Sequence, residues 1–257
     1  MAARTTAIIN LKGGVAKTTT TVNMAAILAR YHGSRVLVVD GDSQCNTTEF
    51  FGGNPDNGNV AAILRNAGDY EDPGVYAAAF IQKTEFDGIF ILPGDETLMD
   101  MDLSKVEQGT ANANVLRYLV EEVRDRYDHI LIDCPPAFNA ASAAALVAAD
   151  DVVIPIKLDA FSLRGMGNLM RQVKNMRRIN PRLRVAGILP TMWYRDAKIQ
   201  EAESILRCAG LHVFHHIRRS DKVDRMTFQQ DPLLICSPNS AAGVDYRKFV
   251  AEYVEVL

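Results

Sequence analysis

The stretch Asn10-Leu11-Lys12-Gly13-Gly14-Val15-Ala16-Lys17-Thr18-Thr19 decides how the rest of the chain is read. It follows a short apolar run and opens a long segment with apolar residues at helical spacing. A strand feeding a glycine turn and then a helix aims several backbone N–H groups, and the positive end of the helix dipole, at one point. That point suits a phosphate. Lys17 is placed to neutralise the outer phosphates, and the Thr18 hydroxyl to ligate a Mg²⁺ bridging them. The common pattern G-x-x-x-x-G-K-[ST] is broken twice, by Leu11 at the first glycine position and Ala16 at the second. In compensation a second lysine, Lys12, stands directly before Gly13-Gly14.

Working outward, the spacing predicts a buried first strand over residues 6–10 and a helix over 18–32 that ends at Gly33. Residues 35–40 form a continuous apolar run, as expected of a parallel strand covered on both sides. It ends in Asp40-Gly41-Asp42, which puts carboxylates at the edge where doubly wound sheets bind ligands. A helix over 112–126 leads into a second such run, 129–133, ending in Asp133, a carboxylate suited to holding Mg²⁺ through water. Short helices are expected near 60–66 and 73–81, and a strand within 88–94. Residues 50–108 otherwise carry no chemistry that demands a role. Further on, the pattern gives helices over 140–149 and 162–179 and strands over 151–155, 185–190, 211–217 and 233–235. It also opens a helix near 191–198, and a terminal helix follows Ser237-Pro238-Asn239. Strands alternate with helices without a repeat or linker. The expected architecture is therefore one α/β domain over 1–257, a single doubly wound, mostly parallel sheet with helices on both faces.

Composition narrows the function classes. The 257 residues are long enough for one sizeable core, and 48% apolar with 23% charged residues is ordinary for a globular chain. No apolar stretch reaches membrane-spanning length and no leader-like run opens the chain, so a cytoplasmic protein without a membrane partner is expected. Cys45, Cys134, Cys208 and Cys236 show no C-x-x-C spacing and are expected to be reduced and mostly buried. His212, His215 and His216 do not share one strand face and have no carboxylate beside them in sequence, which argues against a metal site. The net charge of −3 hides an asymmetry: the segment from Lys157 to Arg225 carries fifteen basic and six acidic residues. A basic region in an otherwise acidic chain is equally a polyanion-binding face or a set of solvated helix faces.

Lys12 to Thr19 resemble the deviant phosphate loop of the ParA/MinD family, K-G-G-x-x-K-[ST]-[ST], at every specified position. The likeness continues in Asp40-Gly41-Asp42-Ser43-Gln44-Cys45-Asn46, similar to D-x-D-P-Q-x-N with Ser43 replacing the proline, and in Asp133-Cys134-Pro135-Pro136, similar to D-x-P-P. The resemblance implies a P-loop NTPase fold and a Mg²⁺-dependent ATPase that is slow without its partner. Gly13, Gly14, Val15, Ala16, Lys17, Thr18 and Thr19 would bind ATP, with Thr18, Asp40 and Asp133 around the Mg²⁺. Asp42 would position the attacking water, and Pro238 would lie in the segment closing over the adenine. Lys12 would reach the phosphates held by a twin subunit, offsetting charge as an arginine finger does.

The resemblance to the ParA-type partition ATPases further implies an ATP-bound homodimer on non-specific double-stranded DNA in the nucleoid, released by a ParB-like partner. No helix-turn-helix precedes the loop, so contacts to DNA would be made through phosphates. Arg195, Arg218, Arg219 and Lys222 match the DNA-contacting region. The alternatives are a MinD-like positioning ATPase, which needs a basic amphipathic C-terminal helix, a cluster-bearing relative, which needs bridging cysteines, and an ATP-dependent metabolic ligase of the same superfamily. The acidic C-terminus and the scattered cysteines speak against the first two.

Overall fold

Apolar runs such as Val36–Asp40 and His129–Asp133 need cover on both faces, and a sheet between two helical layers supplies it. The computed structural model describes residues 3–66, 69–109, 111–208 and 210–256. The first half contains β1 (Arg4–Ile8), α1 (Lys17–His32), β2 (Val36–Asp40), α2 (Asn46–Phe50), α3 (Val60–Asn66), α4 (Pro73–Ala78), β3 (Gln82–Lys83) and β4 (Ile89–Leu92). Then come α5 (Leu103–Glu107), α6 (Val115–Val123), β5 (His129–Asp133), α7 (Ala140–Ala148), β6 (Asp151–Lys157) and α8 (Ala160–Met176). The chain continues through β7 (Arg184–Thr191), α9 (Ala197–Cys208), α10 (Lys222–Gln229), α11 (Leu233–Cys236) and α12 (Ala241–Val256).

The seven strands are ordered β3-β4-β2-β5-β1-β6-β7, all pairs parallel except the short edge pair of β3 with β4. Alternation along the strands sorts side chains to two cores. Leu37, Val39, Ile130 and Ile132 pack with α3, α6 and α7 on one face. Val36, Val38 and Leu131 pack with α1 and α12 on the other. The expected architecture, helices on both faces of a mostly parallel sheet, is the one found. The order also places β5 between β2 and β1, with Asp133 in register with Asp40 on one side and Ile8 on the other.

Several elements differ from the sequence expectation for local reasons. The first strand lies at Arg4–Ile8, two residues early, because Asn10 leaves the ladder and its side-chain amide donates to the Pro155 carbonyl at 2.8 Å. Residues 192–196 are not helical: Met192 takes a left-handed backbone at φ 52°, and α9 begins only at Ala197. Residues 211–217 run parallel beside β7 but make only isolated bridges, Ile188 to Val213 and Trp193 to Arg218. Pro190 accepts from the Ile217 N–H at 2.8 Å and has no N–H to return, so the ladder cannot continue. Leu233–Cys236 is a helical turn and not a strand, since the Ile235 and Cys236 N–H groups bond back to the Pro232 carbonyl.

The cysteines are free as expected, but only Cys134 is buried: Cys45 and Cys236 are half-buried and Cys208 is exposed. No helix among the described residues is long and apolar enough to cross a membrane.

Candidate functional site

The loop after β1 turns through Gly14, at φ 68°, and through Ala16, also at φ 68°, before α1 begins at Lys17. Ala16 is the residue standing where a glycine is usual, and a left-handed backbone costs an L-residue roughly 1–2 kcal/mol. The loop is held from two sides. Asn10 Oδ1 accepts from the Lys12 N–H at 3.0 Å, and Thr191 Oγ1 donates to the Val15 carbonyl at 3.1 Å. Lys17 is buried at the base of the loop, its Nζ donating to the Lys12 carbonyl at 3.2 Å. Burial lowers its pKa, opposed by the charges of Asp133 and Asp42. A phosphate in the loop would replace that carbonyl as the acceptor.

Asp133 ends β5 with its whole side chain buried. Oδ2 accepts from Thr18 Oγ1 at 2.7 Å and from Thr47 Oγ1 at 2.6 Å, whereas Oδ1 has no hydrogen-bond partner among the described residues. Burial pushes the carboxyl up to about 6, against Thr47, Thr18 and Lys17, which favour the charged form. An orphaned carboxylate oxygen beside a threonine hydroxyl at a phosphate loop fits Mg²⁺, a cation that takes one or two protein ligands and fills its shell with phosphate and water. No cluster of three His, Cys, Asp or Glu able to cage a metal occurs among the described residues.

The two carboxylates after β2 have different tasks. Asp40 is fully buried and spent on the loop itself: Oδ2 accepts from the Thr48 N–H and hydroxyl at 2.8 and 2.7 Å, and Oδ1 from the Asp42 N–H at 3.1 Å. Burial, then the charge of Asp133, pushes it up to about 7. It braces the turn into α2 and offers no open face to a metal beside Thr18. Asp42 keeps 9% of its surface exposed, with Oδ1 accepting from the Gln44 N–H at 3.1 Å. Gly41 between them is required by close approach, since a Cβ there would stand 3.0 Å from the Asp133 carbonyl oxygen.

Lys12 does not point into its own loop. Its Nζ meets both carboxylate oxygens of Asp159, at 2.8 and 3.0 Å, and Ser162 Oγ at 2.9 Å. Sequence reasoning missed both partners, which lie 147 and 150 residues away. It also missed Thr47 and Thr48, although two hydroxyls following Asp-Gly-Asp by a few residues are a readable sign of a loop tied back onto its carboxylates.

Thr19 and Ala16 border a cavity of about 540 Å³ that is also lined by Met192, Tyr194, Arg219 and Asp224. Its size suits a nucleoside. Pro238, expected over the base, is exposed and outside this lining; its carbonyl is occupied by Arg247 at 2.6 Å. The wall is made by the 192–194 bend and by α10 instead.

Of the four cations grouped as DNA contacts, Arg218 falls out. It forks onto the fully buried Asp245, Nε to Oδ2 at 2.7 Å and an Nη to Oδ1 at 2.8 Å, and so serves the fold. Arg195 and Arg219 are exposed, and Lys222 reaches only the exposed Asp221 at 3.0 Å. The histidines do meet carboxylates, brought from distant segments: His215 pairs with Asp245 and His216 with Glu203, each at 3.2 Å.

Residues 3–185 match the family model of an AAA domain. The chain is 33% identical to the chromosome partitioning protein ParA of Caulobacter vibrioides, over 98% of this chain and 94% of that one. Among solved structures it superposes on apo McdA from Cyanothece with a TM-score of 0.83 at 22% identity, covering 98% and 99% of the two chains. The cobyrinic acid a,c-diamide synthase of Mycobacterium smegmatis, bound to ADP and magnesium, matches with a TM-score of 0.79 at 28% identity, covering 97% and 93%.

Proposed function

From the premise that this chain belongs to the ParA/MinD family of P-loop ATPases, we propose that it is a DNA-partition ATPase, one domain over residues 1–257. ATP joins two copies into a dimer that grips DNA without sequence preference, and hydrolysis, stimulated by a ParB-like protein, lets go. The observation that carries this reading is the two-sidedness of α10. Its start, Val223 and Asp224, lines the nucleoside-sized cavity together with Asp221 just before it, while Lys222 and Arg225 on the same short helix stand outside that lining. A nucleotide that orders this helix would also order the cations that meet phosphates of a duplex.

In this reading the loop N–H groups from Gly13 to Thr19 and the Lys17 ammonium bind the triphosphate. Thr18 and Asp133 would hold Mg²⁺, with Asp40 bracing the loop behind them. The ion supplies charge neutralisation between the outer phosphates. Asp42, two residues beyond the bracing Asp40, orients the attacking water in line, because positioning and electrostatics supply most of phosphoryl-transfer catalysis. Lys12 of the twin subunit completes the charge balance. The protein works in the cytoplasm on the nucleoid.

A gel-shift titration on unrelated duplex DNA with ATP, ADP and no nucleotide tests the reading. ATP-dependent, sequence-blind binding is expected. Joint Lys222→Glu and Arg225→Glu substitution should weaken it about tenfold or more and flatten the log–log salt slope by roughly 2, while ATP affinity stays the same. Binding indifferent to nucleotide, or none, would remove the partition role. An ATP-dependent ligase is the alternative, favoured by the 28% match to the cobyrinic acid a,c-diamide synthase; it predicts ATP turnover that responds to a small carboxylic acid and not to DNA.

A further inference from the structure

Trp193, the one tryptophan of the chain, stays out of the nucleoside-sized cavity, while Met192 and Tyr194 on either side of it line that cavity. Its backbone is tied to the facing segment in both directions. The Trp193 N–H donates to the Ile217 carbonyl at 2.9 Å, and the Arg219 N–H donates to the Trp193 carbonyl at 2.8 Å. The side chain is held differently: its ring lies flat on the His216 imidazole, centroids 3.9 Å apart and planes 3° from parallel, and the His215 ring follows at 5.1 Å and 22°. The indole Nε1 is buried without a hydrogen-bond partner among the described residues, so stacking and the small core around Ile188, Leu206 and Val213 hold it in place. Met192 depends on such a neighbour, because a left-handed backbone is unfavourable for an L-residue and persists only where surrounding contacts enforce it.

The charges around His216 come from α9, from α12 and from its own segment. On α9, Glu203 Oε2 lies 3.2 Å from Nδ1, and Glu203 Oε1 accepts from Arg207 at 2.7 Å. From α12, Asp245 takes both Arg218 and the His215 ring, and Glu252 accepts from the His215 N–H at 2.7 Å. The His216 side chain is only 22% exposed. Burial holds the ring below its ordinary pKa against the pull of Glu203, with His215 adding to the fall and Asp245 opposing it. A ring held down in this way takes a proton more readily once it is in water, so acid favours leaving the stack and neutral pH favours keeping it.

We propose that His216 is a positioning residue for nucleotide binding: stacked on Trp193, the neutral imidazole latches the Met192–Tyr194 bend against the nucleoside, and its protonation releases the bend and weakens nucleotide affinity. The proposal rests on reading the cavity above as the seat of the nucleotide. His216 acts through Trp193 and is not part of the cavity lining. By linkage, a nucleotide that needs the latched bend must oppose protonation of His216 to the same extent.

The single tryptophan reports on its own latch. As pH falls from about 8 to about 5, the range in which imidazoles titrate, emission of the free protein should move to longer wavelength, as an indole entering water does. A non-hydrolysable ATP analogue with Mg²⁺ should move the midpoint of that change to lower pH, and calorimetry should find analogue affinity weaker by roughly fivefold or more at the acid end. His216→Phe keeps a flat ring on the indole with no proton to gain. Its emission titration should vanish, and its acid loss of affinity should shrink to what Asp40 and Asp133 contribute. Flat emission of wild type, a midpoint that the bound analogue leaves unmoved, or a titration that survives His216→Phe would each overturn the latch and leave the nucleotide reading standing. The first two are decided on the unaltered chain, whatever the variant's folding. Wild type that binds no analogue at neutral pH would overturn the nucleotide reading together with the latch.

Discussion

The cradle formed by the ends of β1, β2 and β5 and the ledge from Met192 to Gln230 adjoin the same phosphate loop, Asp133 holding Thr18 and the ledge sharing a cavity with Ala16 and Thr19, yet they are built on opposite principles. In the cradle, charge is buried and tied: Asp40 and Asp133 are wholly inside, and each hydroxyl or N–H around them has a defined acceptor. On the ledge, charge is on the outside, the chain runs through isolated bridges and a left-handed bend, and Phe228 stands 90% exposed. Chemistry that acts on one atom requires the first kind of construction. Affinity for a long polyanion asks only that cations face outward, and many arrangements satisfy it.

The most severe break in the cradle is Lys17→Ala. It should lower nucleotide affinity by about 100-fold or more, read by calorimetry, because the residue supplies a buried cation at the base of the phosphate loop. Unchanged affinity would dissolve the contrast, since the cradle would then be no more specific than the ledge.

A pH titration sharpens it next. Asp40 and Asp133 keep protons in the folded chain at pH values where the unfolded chain has released them, being raised to about 7 and about 6 from an ordinary 3.8. Without nucleotide or Mg²⁺, their contribution to stability should therefore be fully present below the ordinary 3.8 and be lost as pH rises from there through about 6 and about 7. Asp40→Asn should flatten that decline in urea melts across the same range, while substitution of exposed ledge cations should leave its slope alone.

Within the ledge, Arg218→Ala separates a structural cation from its exposed neighbours. It leaves buried Asp245 with the His215 ring and one backbone N–H, at a cost of about 1–3 kcal/mol of stability. The same truncation of Arg219 should be neutral in the same denaturation measurement. The smallest effect is expected from Ala16→Gly, which relieves the left-handed backbone and should add roughly 0.5–1 kcal/mol.

The same contrast governs what was legible in the sequence. The strands ending in Asp40 and Asp133 announce themselves as apolar runs closed by a carboxylate, and the doubly wound architecture follows from their alternation with amphipathic helices. The segment 211–217 reads as a strand by composition, but one proline in the neighbouring strand, Pro190, prevents the ladder. No local signal could reveal that, because the cause lies in the partner. Arg218 and Arg219 are adjacent and identical in type, and only Asp245, 27 positions on, makes one of them a fold residue. The contact of Lys12 with Asp159 and Ser162 is invisible for the same reason: its two halves belong to distant turns of the chain and meet only once the sheet has formed.

Cys134 follows Asp133 directly, fully buried, with a thiol that burial pushes well above its ordinary pKa, whereas Cys208 lies in the open. An alkylating reagent should therefore mark Cys208 at once and reach Cys134 only as fast as the centre of the sheet comes apart. The chain thus carries its own stopwatch for the breathing of the strand that would grip the metal, and a ligand that seals that strand should slow it.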